Sequence, residues 1–487
     1  MPVAPQPPAT ASPGGRGGRA HELFGVNEGA LTKTDAAPRR VEAAGRLTAV
    51  LLVAALAAAA IQQGGFFARG QIPVAALLVA ALLSAFPLER AWDPALRLPF
   101  AIGGLAVAWA LARALPSGSL RSAAGEGLLL AALALVVVLA GRLDAPARRV
   151  ALAGMLGTGV ILAATAWAGM AWRITPWALT SEGLWRGAST ITYANATGCV
   201  LAALALTALA LLGGARRSLL LSLLLALLLL GLATTLSRAA ALAFLVGLSV
   251  LVLLRGPGVL RALAVPFAGA FVAFLCLAPS MPVSSEQRPL LATGGLVLGF
   301  ALVAGIMAGG RRGLVVAGVA ALIFVVGAGT RVVAAGSLGD AGSRISSSRL
   351  QADSPARARL HAAALDLVAG DPLVGVGPGR FVRESRAHGR LRVQQYVHDE
   401  YGQLLVEQGA IGAALGAALL LSVARLLWRC RSDAPERALW AGTVAAFAAV
   451  AVQSGFDFVW HVPIVLLCLA FLLGLVVKPA ASTSEAA

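Results

Sequence analysis

The sequence predicts an all-α polytopic membrane protein with about 12–14 transmembrane helices and one large loop on the outer face. The chain has 487 residues, of which 59% are hydrophobic and only 13% are charged. Soluble domains carry about a quarter charged residues, so this composition excludes a soluble globular enzyme and a disordered chain. Apolar stretches recur along the chain, and one long polar stretch at 336–398 interrupts them.

The apolar stretches fix the candidate helices, because a membrane helix needs about 20 mostly apolar residues. Their centres lie near residues 55, 80, 107, 132, 160, 202, 226, 246, 269, 299, 324, 413, 446 and 468. Only a short polar turn separates the runs 218–234 and 238–254. A count of twelve, thirteen or fourteen therefore remains open.

The chain divides at the ends of these stretches. The segment 1–46 is rich in Pro, Gly, Ala and Arg and has no apolar core, so we expect a disordered cytoplasmic tail. Helices of the first part of the bundle follow over 47–335, and the large loop spans 336–398. Further helices over 399–478 lead to a short second tail at 479–487.

The net charge of +17 would suggest nucleic acid in a soluble protein. Here the arginines fall in the turns between apolar runs, and alternate turns hold roughly twice as many of them as the others. Basic turns stay on the cytoplasmic side of a membrane, so we expect both termini there and no nucleic-acid partner. The four cysteines lack the spacing of a metal site or a disulfide framework, and we expect no metal.

We expect part of the large loop to be folded. Leu360, Ala364 and Leu367 recur at helical spacing between 356 and 369, and Pro372 ends that helix. The glycine-rich segment at 370–381 lacks the GK[ST] of a nucleotide-binding loop, so a turn that uses the freedom of glycine is favoured.

The outer face of a membrane has no nucleotide supply, so an enzyme there needs a donor that carries its own activation. Arginine suits the two phosphates of a lipid-linked diphosphate sugar because its planar group binds phosphate oxygens through two hydrogen bonds. Arg238 stands at an outer helix mouth, where it either binds such a group or extends to the interface. His398 stands at the start of the helix after the loop. There it either acts as a base for an acceptor hydroxyl or bonds to water at the helix end.

Three further polar positions have structural explanations. Asp457 and His461 are spaced as an i,i+4 pair on one helix face. Glu407 would lie within the membrane and is expected to pair with Gln403 or an arginine. Asn195 stands at a helix start, where capping or a hydrogen bond between helices accounts for it.

Five segments in order carry a family resemblance over roughly 190–470. They read YANATG, LSRAA, DPLVGVGPGRF, HDEYGQ and FDF followed by HVP. This order resembles the O-antigen ligase/polymerase family of bacterial envelope glycosyltransferases. The resemblance implies a C-type glycosyltransferase-like fold in a bacterial inner membrane, with the large loop packed over a cavity on the periplasmic side.

The resemblance also implies an activity. Such enzymes transfer a glycan from an undecaprenyl-diphosphate-linked donor to a lipid or polysaccharide acceptor at the lipid bilayer, without a metal or cofactor. Arg238 and Arg357 match the arginines that contact the donor diphosphate, and His398 matches the histidine that activates the acceptor. Two positions depart from the family pattern, because His361 stands where Trp is usual and Asp399 stands where Asn is usual.

The same resemblance assigns substrate-binding roles to four further residues, which are Arg359, Tyr401, Gly377 and Asn195.

The sequence leaves the acceptor open among lipid A–core, the growing polysaccharide and a protein Ser/Thr. A ligase or polymerase is favoured over a protein transferase. A transporter of an anionic solute is a rival from another class, and it would predict buried charges near the midplane and broken helices in paired repeats. A scaffold subunit of an envelope assembly is a third interpretation.

Overall fold

A computed structural model describes residues 36–88, 93–213, 218–334, 355–387, 390–431 and 437–477. Within these ranges the chain is almost entirely helical, with two short antiparallel hairpins. The helices are α1 Ala36–Ile61, α2 Ala68–Ser84, α3 Arg97–Ser117, α4 Leu120–Arg142, α5 Ala145–Trp172, α6 Ala194–Leu212, α7 Leu219–Thr234, α8 Arg238–Arg255, α9 Gly258–Leu277, α10 Pro289–Ala334, α11 Pro355–Gly370, α12 Glu400–Arg429, α13 Arg437–Ser454 and α14 Pro463–Val476. The strands are β1 Ala178–Ser181, β2 Leu184–Gly187, β3 Arg383–Ala387 and β4 Arg390–Gln394.

The predicted multi-pass membrane architecture is confirmed. Nine helices among the described residues are long and apolar enough to cross a bilayer. Three shorter apolar helices accompany them, namely α2, α7 and α14. The short turn between α7 and α8 does separate two helices, as its polar residues indicate.

Two helix boundaries differ from those that apolar runs predict. Helix α1 begins at Ala36, inside the segment expected to be a tail, while 1–35 and 478–487 lie outside the described residues. The runs near 299 and 324 belong to one helix, α10, of 46 residues. A side chain at Gly313 would collide with the carbonyl of Gly305, which lies about 12 Å away in a straight helix. Helix α10 therefore bends back sharply at this point.

Helix α6 is the centre of the bundle, and nearly all of its residues are buried. Small residues let its neighbours approach closely, as where Gly198 faces Ala240 of α8 and Gly442 of α13 faces Thr207. The start of this central helix therefore places Asn195 within the protein rather than against lipid.

Several turns meet at one end of the bundle, which we call the loop end. The Thr190 hydroxyl donates to the Ala60 carbonyl at 2.7 Å, and Leu184 of β2 bridges to Pro282 before α10. The polar side chains of the candidate site lie at or near this end.

The large loop has its own small core over α12. Leu360 and Ala364 of α11 are buried with Phe381, Val397 and Val406. The predicted loop helix is confirmed, and it ends at Gly370, just before the Asp-Pro pair. Leu367, expected on the same apolar face, is instead partly exposed.

Helix α12 is broken at Gly409, which has φ 67° and ψ −172°. Turn residues of the glycine-rich segment cross this break and take up the freed backbone groups. The Val376 amide donates to the Val406 carbonyl, and the Ala410 amide donates to the Pro372 carbonyl, both at 2.9 Å. Such pairing is required because an unpaired backbone group inside a membrane protein is costly.

The glycine-rich turn is fastened to α3. Arg113 donates to the carbonyls of Val374 at 2.9 Å and Gly375 at 2.7 Å. Gly375, Gly377 and Gly379 all have positive φ, which confirms a turn that needs glycine.

Candidate functional site

A buried carboxylate lies at the centre of the polar groups at the loop end. Asp457 follows the end of α13 and is 0% exposed. It accepts hydrogen bonds from the Tyr193 hydroxyl at 2.6 and 2.7 Å, the Asn195 amide at 2.6 Å and the Phe458 backbone amide at 2.9 Å. Three donors thus satisfy a charge that would be costly to bury alone.

His398 supplies a fourth partner. Its Nδ1 lies 3.0 Å from Asp457 Oδ1, and its side chain remains 28% exposed. A carboxylate only accepts hydrogen bonds, so Nδ1 carries the proton in this contact. In the neutral ring the lone pair is then on Nε2, the nitrogen needed by a general base.

The backbone at His398 is unusual. Its φ is +62°, a left-handed conformation that few residues other than glycine adopt. Asp399 follows at once and caps α12 by accepting from the Tyr401 amide at 3.1 Å. The fixed helix start on one side and Asp457 on the other hold this strained conformation.

The protonation states of Asp457 and of Tyr193 are set by their surroundings. Burial works to raise the pKa of Asp457, but the hydrogen bonds from His398, Tyr193 and Asn195 outweigh it and hold the pKa below its usual value. Burial and the nearby Asp457 carboxylate raise the pKa of Tyr193 well above its usual value. Asp457 is therefore an anion and Tyr193 a neutral donor at neutral pH.

Aromatic rings surround the imidazole. Phe458 stacks on Tyr396 with centroids 4.4 Å apart and on Tyr193 with centroids 5.0 Å apart. The His398 ring meets the same Phe458 ring at 4.9 Å in an edge geometry. These contacts restrict the rotation of the imidazole about its bond to the backbone.

The predicted pair between Asp457 and His461 is wrong. Helix α13 ends at Ser454, so the two residues do not share a helix, and Val459–His461 forms a short 3-10 turn. His461 Nδ1 instead lies 3.2 Å from Glu400, which is 1% exposed. Burial works to lower the pKa of His461, but the charge of Glu400, its hydrogen bond to the ring and the more distant Glu407 and Glu126 together raise the pKa above its usual value.

The expected pairing of Glu407 is confirmed. Gln403 donates to Glu407 at 2.6 Å. Glu407 also accepts from the Gly379 amide at 2.8 Å, which ties the glycine-rich turn to α12. On the facing helix α4, Glu126 accepts from Gln408 at 3.3 Å.

The structure brings only some of the predicted site residues together. Asn195 and His398 meet at Asp457. Arg357 on α11 is half-buried, and its charge reaches Tyr193, since it opposes the effect of burial on the pKa of that phenol. Arg238 is the first residue of α8, is exposed, and follows the capping residue Ser237 at the loop end.

Three other predicted substrate-binding residues lie elsewhere. Arg359 is exposed on α11, about 200° around the helix from Arg357. The Tyr401 hydroxyl donates to the Ala451 carbonyl at 2.8 Å. The Gly377 amide donates to the Glu407 carbonyl at 2.9 Å, and a side chain at Gly377 would collide with Ser117.

Sequence reasoning missed the role of Asp457 and of Tyr193. The signal for Asp457 was present, since it is an isolated acid in the aromatic segment FDFVW. Its partner stands 59 residues earlier in the chain, and helical spacing cannot reveal such a contact. Tyr193 gave no signal of its own.

No protein-family model matches the sequence, and no curated protein matches it. In the described part of the chain, no group of three or more His, Cys, Asp or Glu side chains is placed to hold a metal ion.

Proposed function

We propose that the chain is a membrane glycosyltransferase of the O-antigen ligase/polymerase type. It transfers a glycan from an undecaprenyl-diphosphate-linked donor to an acceptor hydroxyl at the periplasmic face of a bacterial inner membrane. The observation that carries this proposal is the contact between His398 and the buried Asp457, at 3.0 Å. That contact leaves Nε2 of a partly exposed imidazole to accept a proton.

The reaction proceeds by displacement at the anomeric carbon. The acceptor oxygen forms a bond to that carbon while the bond from the carbon to the diphosphate oxygen breaks. The acceptor proton passes to Nε2 of His398, and undecaprenyl diphosphate leaves as an anion. Asp457 stabilises the resulting imidazolium, as the aspartate of a hydrolase triad does.

Two arginines balance the charge of the leaving group. Arg238 and Arg357 bind the diphosphate and offset the negative charge that develops on it. Arg357 already acts electrostatically on Tyr193, next to the imidazole–carboxylate pair. Arg238 begins α8 at the loop end.

The distribution of arginines supports the orientation. At the end of the bundle opposite the loop end, Arg148 donates to the carbonyls of Gly141 and Leu475, both at 2.9 Å. Arg255 and Arg261 lie near the junction of α8 and α9 at that end. Basic residues favour the cytoplasmic side, so the loop end faces the periplasm.

The proposal is tested with purified protein in liposomes that contain a lipid-linked glycan and an acceptor. His398→Ala and Arg238→Ala should each abolish transfer, while membrane insertion and abundance remain normal. Arg121→Gln is the matched control, because Arg121 is exposed on the first turn of α4 and has no assigned role. Transfer at the wild-type rate by the His398 variant would refute the mechanism.

The acceptor is identified from the surface glycans of a strain that lacks the protein. Loss of the whole ladder from the lipid core identifies a ligase, and a single-repeat band identifies a polymerase. Unchanged lipid glycans with altered glycoproteins identify a protein O-oligosaccharyltransferase.

Transport of an anionic solute is the second candidate, and the break in α12 at Gly409 favours it. The polar side chains near this break include the acids Glu407 and Glu126 rather than the basic groups that would bind an anion, so this candidate ranks below the transferase. Uptake of a labelled anion by liposomes that show no glycan transfer would reverse the ranking.

A further inference from the structure

One guanidinium connects two segments of the loop end. Arg186 on β2 donates from Nε to the Thr235 carbonyl at 2.8 Å and from Nη2 to the Asn195 side-chain oxygen at 2.7 Å. Thr235 belongs to the turn that leads into α8, and Asn195 to the first turn of α6. Arg186 is half-buried, which limits the competition of water for both contacts.

The contact with Arg186 determines which way the Asn195 amide faces. An asparagine amide has an accepting oxygen and a donating nitrogen, and a half-turn exchanges them. A guanidinium only donates, so it holds the oxygen on its own side. The nitrogen therefore faces Asp457 and donates to Oδ2 at 2.6 Å. The reversed amide would place two oxygens in contact with each other.

The orientation of this amide bears on His398. Asn195 and Tyr193 both donate to Asp457 Oδ2, while Oδ1 lies 3.0 Å from His398 Nδ1. Without the Asn195 donor, Oδ2 keeps only the Tyr193 hydroxyl, and the carboxylate can shift its charge relative to the imidazole. Outer partners of this kind set the tautomer and the basicity of a histidine.

We propose that Arg186 is a positioning residue that fixes the Asn195 amide, and through it the geometry of the Asp457–His398 pair. This inference rests on the proposed transferase function only for its effect on rate. The same guanidinium holds the Thr235 carbonyl, three residues before Arg238, so one side chain sets both the base and the start of the helix that binds the donor.

A double-mutant cycle tests whether Arg186 acts through Asn195. Arg186→Gln and Asn195→Ala should each lower kcat about 10- to 100-fold, with the KM for the acceptor changed little. The double variant should be no slower than Asn195→Ala alone. Arg186→Lys keeps the charge but lacks the planar guanidinium that donates to two acceptors at once, so it should recover only part of the rate. If the reductions in kcat of the two single variants multiply in the double variant, the proposal is overturned.

A second measurement reads His398 without any glycan transfer. Diethylpyrocarbonate modifies neutral imidazole, and mass spectrometry of the peptide that contains His398 gives its rate against pH. In Arg186→Gln, Asp457 loses a donor and a nearby cation disappears, and both changes favour the imidazolium. The midpoint of modification should therefore move to higher pH by about half a unit or more.

The control for this measurement is Arg121→Gln, which should leave the midpoint unchanged. Asn195→Ala removes the same donor without removing a cation, so it should also move the midpoint to higher pH. A midpoint that stays unchanged in Arg186→Gln or in Asn195→Ala would show that Arg186 has no positioning role. If His398→Ala retains transfer while the midpoint moves as expected, the transferase mechanism fails and the positioning role stands.

Discussion

At the scale of single residues, Asp457 gives the loop end its chemistry. Four donors converge on one fully buried carboxylate, and among its side-chain partners only His398 has a second ring nitrogen that can accept a proton. The contact also determines which ring nitrogen of His398 carries the proton, because the carboxylate selects the tautomer.

Replacing Asp457 by Asn should lower glycan transfer by about 10⁴-fold, since the amide no longer selects the required tautomer. The measurement is kcat of the purified variant in liposomes. Asp366→Asn, at an exposed position on α11, is the matched control and should leave kcat unchanged. A loss below tenfold in the Asp457 variant would mean that the imidazole is not the base.

At the scale of secondary-structure elements, the break in α12 allows the large loop to dock. The left-handed Gly409 opens the helix, and backbone pairs at 2.9 Å fill the opening with part of the glycine-rich segment. The loop is thus attached through backbone groups, whose pairing depends little on side-chain identity.

Gly409→Ala should detach this segment, because the conformation is unfavourable for alanine and the added carbon would collide with the Leu373 backbone. We expect faster proteolysis within 355–394 and a lower Tm in detergent. Gly103→Ala is the control, since nothing lies within 4 Å of the added carbon and alanine favours a helix. Equal proteolysis of the two variants would contradict this role for the break.

The pair between His461 and Glu400 should make stability depend on pH. The pKa of His461 is raised in the folded protein, so its contribution is complete below the unfolded value of about 6.5 and is lost as pH rises through the folded value. Tm in detergent should therefore fall as the pH rises from about 6.5 through the higher pKa that His461 has in the folded protein. His461→Gln should remove that part of the fall, and an unchanged slope would exclude the pair as its source.

The sequence allowed some of these elements to be predicted and not others. Periodicity located α11 to within a residue at each end, because Leu360 and Ala364 recur at helical spacing on its buried face. The break at Gly409 and the pairing of Asp457 depend on segments far apart in the chain, which periodicity does not detect. The expected Asp457–His461 pair failed because its spacing assumed a helix that ends at Ser454.

At the scale of the whole molecule, the nine long apolar helices in the described part of the chain and the distribution of arginines predict a definite sidedness. The natural cysteines among the described residues, namely Cys199, Cys276, Cys430 and Cys468, are all buried, so single introduced cysteines report location cleanly. A cysteine at Arg121 should react with an impermeant maleimide in intact cells. A cysteine at Arg261 should react only after permeabilisation, and the reverse pattern would invert the topology.

The partners of His398 and Glu400 lie in one short segment late in the chain, at Asp457 and His461. During synthesis, the imidazole enters the membrane well before its carboxylate exists. A chain halted at the end of α13 would hold the histidine without the group that selects its tautomer. The proposed transferase should therefore remain inactive until the following turn and α14 have been inserted, so that partly made chains would not consume the proposed lipid-linked donor.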